Sequence, residues 1–120
     1  MKHYSNEEQI RDVVEGFETC STPKDQFTHR EHLTVATWYL GHSTSTEALD
    51  QMRHGLLRFL DHHGVGRAKY KEQLTVSWMK LIERSIQQMP SGMSPVDQAN
   101  AVLDQLGDSS IVTPEGATSK

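Results

Sequence analysis

A single cysteine, Cys20, among 120 residues excludes an internal disulfide and fits a reducing compartment. Hydrophobic residues are also scarce, at 35% of the chain. Nowhere do they run for the roughly 18 consecutive positions that a membrane-spanning helix needs. The opening Met1-Lys2-His3-Tyr4-Ser5 lacks the apolar stretch of a secretory signal, so a cytoplasmic location is expected and a membrane is not an expected partner. Basic residues are in the minority: 12 Lys and Arg stand against 16 Asp and Glu, for a net charge of −4. Binding nucleic acid through its phosphates takes cations clustered over a broad face. The one basic run, Arg67 to Lys71, is too short for that, and nucleic acid is not expected as a partner either.

What the chain does contain is helical spacing and helical punctuation. Ile10, Val13, Val14 and Phe17 follow the three-and-four rhythm of an amphipathic helix, and Ser5 with Glu8 reads as its capping box, so a first helix is expected over residues 6–18. Thr19 to Gln26, with Pro23 and small polar residues, reads as a loop. Thr28 and Glu31 repeat the box signature before Leu33, Ala36, Tyr39 and Leu40, so a second helix starts at His29 and ends by Gly41 and the Ser43–Thr46 run. A third carries Ala48, Leu49, Met52, Leu56, Phe59 and Leu60 and stops near His63, before Gly64. The fourth begins between Arg67 and Gln73 and runs through Leu74, Trp78, Leu81 and Ile82 to about Met89, where Pro90 blocks it. Ser94 and Pro95 open a fifth, with Ala99, Val102, Leu103 and Leu106 inward, ending at Gly107. Asp108 to Lys120 is polar and reads as a flexible or surface-draped tail in which Ile111 and Val112 are candidate tethers. The expectation is an all-α bundle of four to five helices with antiparallel neighbours, one domain over residues 1–107. The lean apolar content suggests a homodimer that finishes burying its helix faces.

Chemistry concentrates in the histidines. A helical wheel places His29 and His32 in or beside the Leu33–Ala36–Leu40 stripe, with their Cβ atoms about 5–6 Å apart. The positive end of the helix dipole keeps first-turn imidazoles neutral, the form that ligates metal or accepts a proton. Three uses stay open: core rings whose second nitrogen meets a backbone carbonyl, ligands of a divalent metal, or acid–base groups. His63 turns inward on the third helix, where it is either a third ligand or a cation favoured at a helix end. His62 reads as such a cation, and His54, His3 and His42 as surface residues. The fourth wheel centres Lys71 on the buried face with Glu72 at its edge. Lys71 then either reaches water along its stem or acts as a desolvated base. Gly64-Val65-Gly66-Arg67-Ala68-Lys69 leads into that helix as an anion anchor or an ordinary turn, and it lacks the spacing of a P-loop.

Phe27-Thr28-His29-Arg30-Glu31-His32-Leu33 and Tyr70-Lys71-Glu72-Gln73-Leu74-Thr75 together resemble a family of short bacterial helical proteins of uncharacterised function. Its members pair a Phe-x-His-x-x-His-Leu opening with a Tyr-His-Glu-Thr-like element. The resemblance runs from Phe27 to Ile86 and implies no named activity or cofactor. Lys71 stands where that pattern has His, which weakens any metal site built on a third imidazole there.

The leading expectation is a helical-bundle enzyme of lyase or hydrolase type acting on a small anionic or polar molecule. His29, His32, Lys71 and Glu72 are its catalytic candidates, and His29, His32 and His63 its ligands for a divalent metal. Arg67, Lys69, Tyr70 and Tyr39 are its substrate-binding candidates. The rival is a non-catalytic interaction or dimerisation module, with the histidines in the core and an exposed strip of Val35, Trp38 and His42 meeting a partner.

Overall fold

Side chains spaced three and four apart bury one helical stripe only against other helices. The computed structural model, which describes residues 2–107, is built that way throughout. Its elements are α1 (Glu7–Glu18), α2 (His29–His42), α3 (Ser45–His62), α4 (Glu72–Gln87) and α5 (Pro95–Leu106), with single 3-10 turns at Lys24–Gln26 and Arg67–Lys69. The fold is an all-α bundle with no strand among the described residues. The tail expected over Asp108 to Lys120, with Ile111 and Val112, lies outside the described residues.

Capping side chains set where the helices start, because the first turn leaves backbone N–H groups without partners. Thr28 and Glu31 form the expected capping box, the Thr28 N–H donating to Glu31 Oε1 at 3.0 Å. Thr44 and Glu47 form a second box at α3, through reciprocal bonds of 3.1 Å. At α5, Ser94 Oγ accepts from the Asp97 N–H at 3.0 Å and Pro95 occupies the first turn. The Ser5–Glu8 box does not form. Asn6 is the cap, accepting from the Gln9 N–H at 3.0 Å, while the Ser5 N–H donates to Gln9 Oε1 at 2.7 Å. Asn caps as well as Ser, so nothing is lost by this one-residue displacement. α4 starts late in its expected window, with Lys71 as its extended N-cap residue, and ends at Gln87, before Met89.

α2 packs against each of the other four helices. Every residue from Leu33 to Thr37 is buried, so all sides of the helix are covered. This corrects the expected exposed strip: Val35 is 0% exposed, and Trp38 is partly buried and stacked on His42 at 4.0 Å. The wheel saw one stripe, but α1 and α5 cover the other side of α2. The polar residues in this run satisfy themselves locally: Thr34 and Thr37 donate to the carbonyls of Arg30 and Leu33, each at 2.8 Å.

An aromatic cluster fixes the turn that leads into α2. Phe17 of α1, fully buried, stacks on Phe27 at 4.8 Å and on Phe59 of α3 at 5.8 Å. The Phe17 ring lies where a Cβ on Gly55 of α3 would go. Gly55→Ala gains up to about 1 kcal/mol of helix propensity but overpacks the core at a cost of about 1–3 kcal/mol. A net loss of stability of about 1 kcal/mol or more is expected, read as a lower urea midpoint.

Candidate functional site

Between α2, α3 and α4 the core stays open around a cavity of about 610 Å³. Its deep wall is buried, with Leu33, Ala36, Met52, Met79 and Ile82. Leu56 and Leu60 of α3 and Leu74 and Trp78 of α4 also line it, and these apolar residues are only partly buried because they face the opening rather than each other. The size falls within the usual range for small-molecule sites, about 300–1,000 Å³.

His29 and His32 both line the cavity from the first turn of α2. His29 Nε2 lies 3.0 Å from the Leu106 carbonyl at the end of α5. A carbonyl only accepts, so Nε2 carries a proton, which leaves Nδ1 as the nitrogen free to meet a ligand. The ring meets Trp78 edge-on, with centroids 5.0 Å apart. His32 is tilted against Phe27 at 5.2 Å. Burial, helped by neighbouring His29, pushes the His32 imidazole down to about 4. It is therefore neutral at pH 7, able to hold a hydrogen bond but a weak proton acceptor.

The remaining candidates divide between the cavity and the outer surface. Lys69, Tyr70 and Lys71 line the cavity. Lys71 is exposed rather than inward: it precedes the first helical residue of α4, so the helical wheel does not apply to it. Glu72 is off the lining and exposed. It accepts from Arg53 at 2.5 and 2.9 Å and from the Tyr70 hydroxyl at 2.7 Å. Those bonds, Arg53's first, hold its carboxyl down at about 2, which leaves it a poor proton donor or acceptor at neutral pH. Arg67 is likewise turned away, onto Asp61 at 2.6 Å. Tyr39 is buried on the side of α2 that faces α1, where its hydroxyl donates to Glu18 at 2.7 Å; burial and that carboxylate push the phenol up. His63 is packed on Phe59 at 4.3 Å and does not line the cavity. Its Nε2 is buried with no hydrogen-bond partner among the described residues. His29, His32 and His63 thus do not converge, and no group of three His, Cys, Asp or Glu among the described residues is arranged to hold a metal ion.

Sequence reasoning passed over Lys24 and Met79, which line the same cavity. Lys24 falls in a segment read only as a loop, where no periodicity indicates direction. Phe27 was visible through its place in the Phe-x-His-x-x-His-Leu element. Set against family models, curated proteins and solved structures, the chain matches none.

Two measurements probe these rings. The folded-state value of His32 lies below its unfolded value of about 6.5. The unfolded chain therefore takes up the extra proton, and stability falls as pH drops from about 6.5 towards 4, by an amount on the order of 3 kcal/mol. His32→Leu flattens the upper part of that window, above the range where carboxylates titrate, in urea melts at stepped pH. His63→Leu removes an unpaired buried nitrogen, so its melting temperature is expected to match or exceed the parent's, by up to about 1–2 kcal/mol of stability.

Proposed function

We propose that this chain is a small-molecule-binding helical domain whose site is the cavity between α2, α3 and α4. One observation carries the reading. Leu56, Leu60, Leu74 and Trp78, spaced to close a core, instead stand around an opening that also receives two histidines. Protein interiors are otherwise packed like organic crystals, and a large apolar cavity with a few convergent polar groups is where ligands bind. In this reading the leucines and Trp78 take an apolar body, and His29 and His32 set its orientation.

A second reading, metal-assisted lyase or hydrolase chemistry, draws support from the His29 bond. Proteins commonly orient a metal-binding imidazole by tying its other ring nitrogen to a carbonyl. His29 and His32 supply two ligands, so the ion's remaining positions go to water or substrate, with Lys71 as the nearby amine. Elemental analysis of protein purified without chelator, beside a His29→Ala/His32→Ala variant, decides it: near-stoichiometric divalent metal lost in the variant favours this reading, and none in either after metal incubation rejects it.

The binding reading is tested by titrating 15N-labelled protein with n-decanol. Saturable shifts centred on the cavity-facing residues of α2, α3 and α4, absent in the cavity-blocking variant Leu60→Trp, are expected. Saturable shifts unaffected by Leu60→Trp, or no saturable shift at all, would count against the cavity as the site.

A further inference from the structure

We infer that the cavity's ligand is an amphipathic anion, an apolar body carrying a single acidic group held at the mouth by Lys24, Lys69 and Lys71. This rests on the cavity being a ligand site and adds the chemistry of its occupant. Carboxylates outnumber cations along the chain, 16 Asp and Glu to 12 Lys and Arg, yet among the described residues the lining contains three lysines and no Asp or Glu. Lys69 and Lys71 lie two residues apart, in the turn before α4 and at its N-cap, and the fold brings Lys24, from the turn before α2, to the same cavity. Each is exposed while lining the cavity, which places these three residues at its rim rather than on its deep wall.

The nearby carboxylates do not neutralise them. Asp61 is held by Arg67, and Glu72 by Arg53 and Tyr70. Asp25 is exposed and off the lining. No carboxylate among the described residues pairs with Lys24, Lys69 or Lys71. Behind this cationic mouth the wall is Leu, Met, Phe and Trp, with two histidines, His32 being neutral at pH 7. A dianion or a compact polar metabolite would leave that apolar depth unused. A neutral hydrocarbon would leave the mouth unused, and a cation would be repelled by it. The plain alternative is that the lysines merely drape their methylene stems over an apolar rim while their charges face water. The two differ in one respect: stems alone do not discriminate ligand charge.

Decanoate, n-decanol and decyltrimethylammonium share one tail and differ in head charge. Their affinities for the whole chain at neutral pH, where a carboxylic acid is ionised, test the inference. Exposed ion pairs contribute a few-fold each, so decanoate is expected to bind about tenfold more tightly than decanol, with decyltrimethylammonium weakest. The preference is expected to shrink at high salt. In Lys24→Gln/Lys69→Gln/Lys71→Gln, which removes the three charges while keeping the first two methylenes of each side chain, decanoate affinity should fall to the decanol level. Equal binding of decanoate and decanol, tightest binding of the cation, or a decanoate preference that survives in the triple variant would overturn the inference and leave the cavity as a site of other specificity. Binding of none of the three would remove both.

Discussion

The burial of α2 on all sides is the constraint from which the rest of the arrangement follows. A helix surrounded by four others can carry no solvated face along its middle, so its polar residues must be answered locally. Thr34 and Thr37 return their hydroxyls to the preceding turn, and Tyr39 reaches Glu18. Solvent exposure along α2 is confined to its ends. Its first turn, fixed by the Thr28–Glu31 box and by the His29 bond to Leu106, is where the two histidines face the cavity.

Charge is sorted around that helix. Arg53, Arg67 and Arg11 each take a carboxylate partner on the exterior, and exposed pairs of this kind add little to stability. Two of those pairs engage Glu72 and Asp61, carboxylates near Lys71 and Lys69 in sequence. The acidic balance of the whole chain says nothing about the field inside the cavity, which responds to the charges that line it.

Much of the fold was legible because caps are local. Thr28 with Glu31 and Ser94 with Pro95 announce their helices within four residues of sequence, and both starts were read correctly. α1 was read a residue early because Ser5 and Asn6 are both good caps and only the folded backbone chooses between them. The site was legible only in part. His29 and His32 lie where the wheel put them, on the inward face. Tyr39, Glu72 and Arg67 were placed by their segment rather than by their partners, and those partners, Glu18, Arg53 and Asp61, lie up to 21 residues away in sequence. Lys71 lines the cavity but is exposed, because a wheel extended past the first helical residue assigns a direction that an extended backbone does not have. Val35 and Trp38 show the converse limit, since a stripe drawn for one neighbour cannot register a second.

Ala36 sits on the deep wall of the cavity, 2% exposed, and its small side chain is part of what keeps that wall set back. Larger hydrophobic groups there would improve packing and raise heat resistance, as cavity filling commonly does. They would also take the room that an occupant needs. Under the proposed binding role, robustness and occupancy compete for the same space, and a version engineered for thermal endurance would keep position 36 small and take its substitutions on the charged outer faces instead.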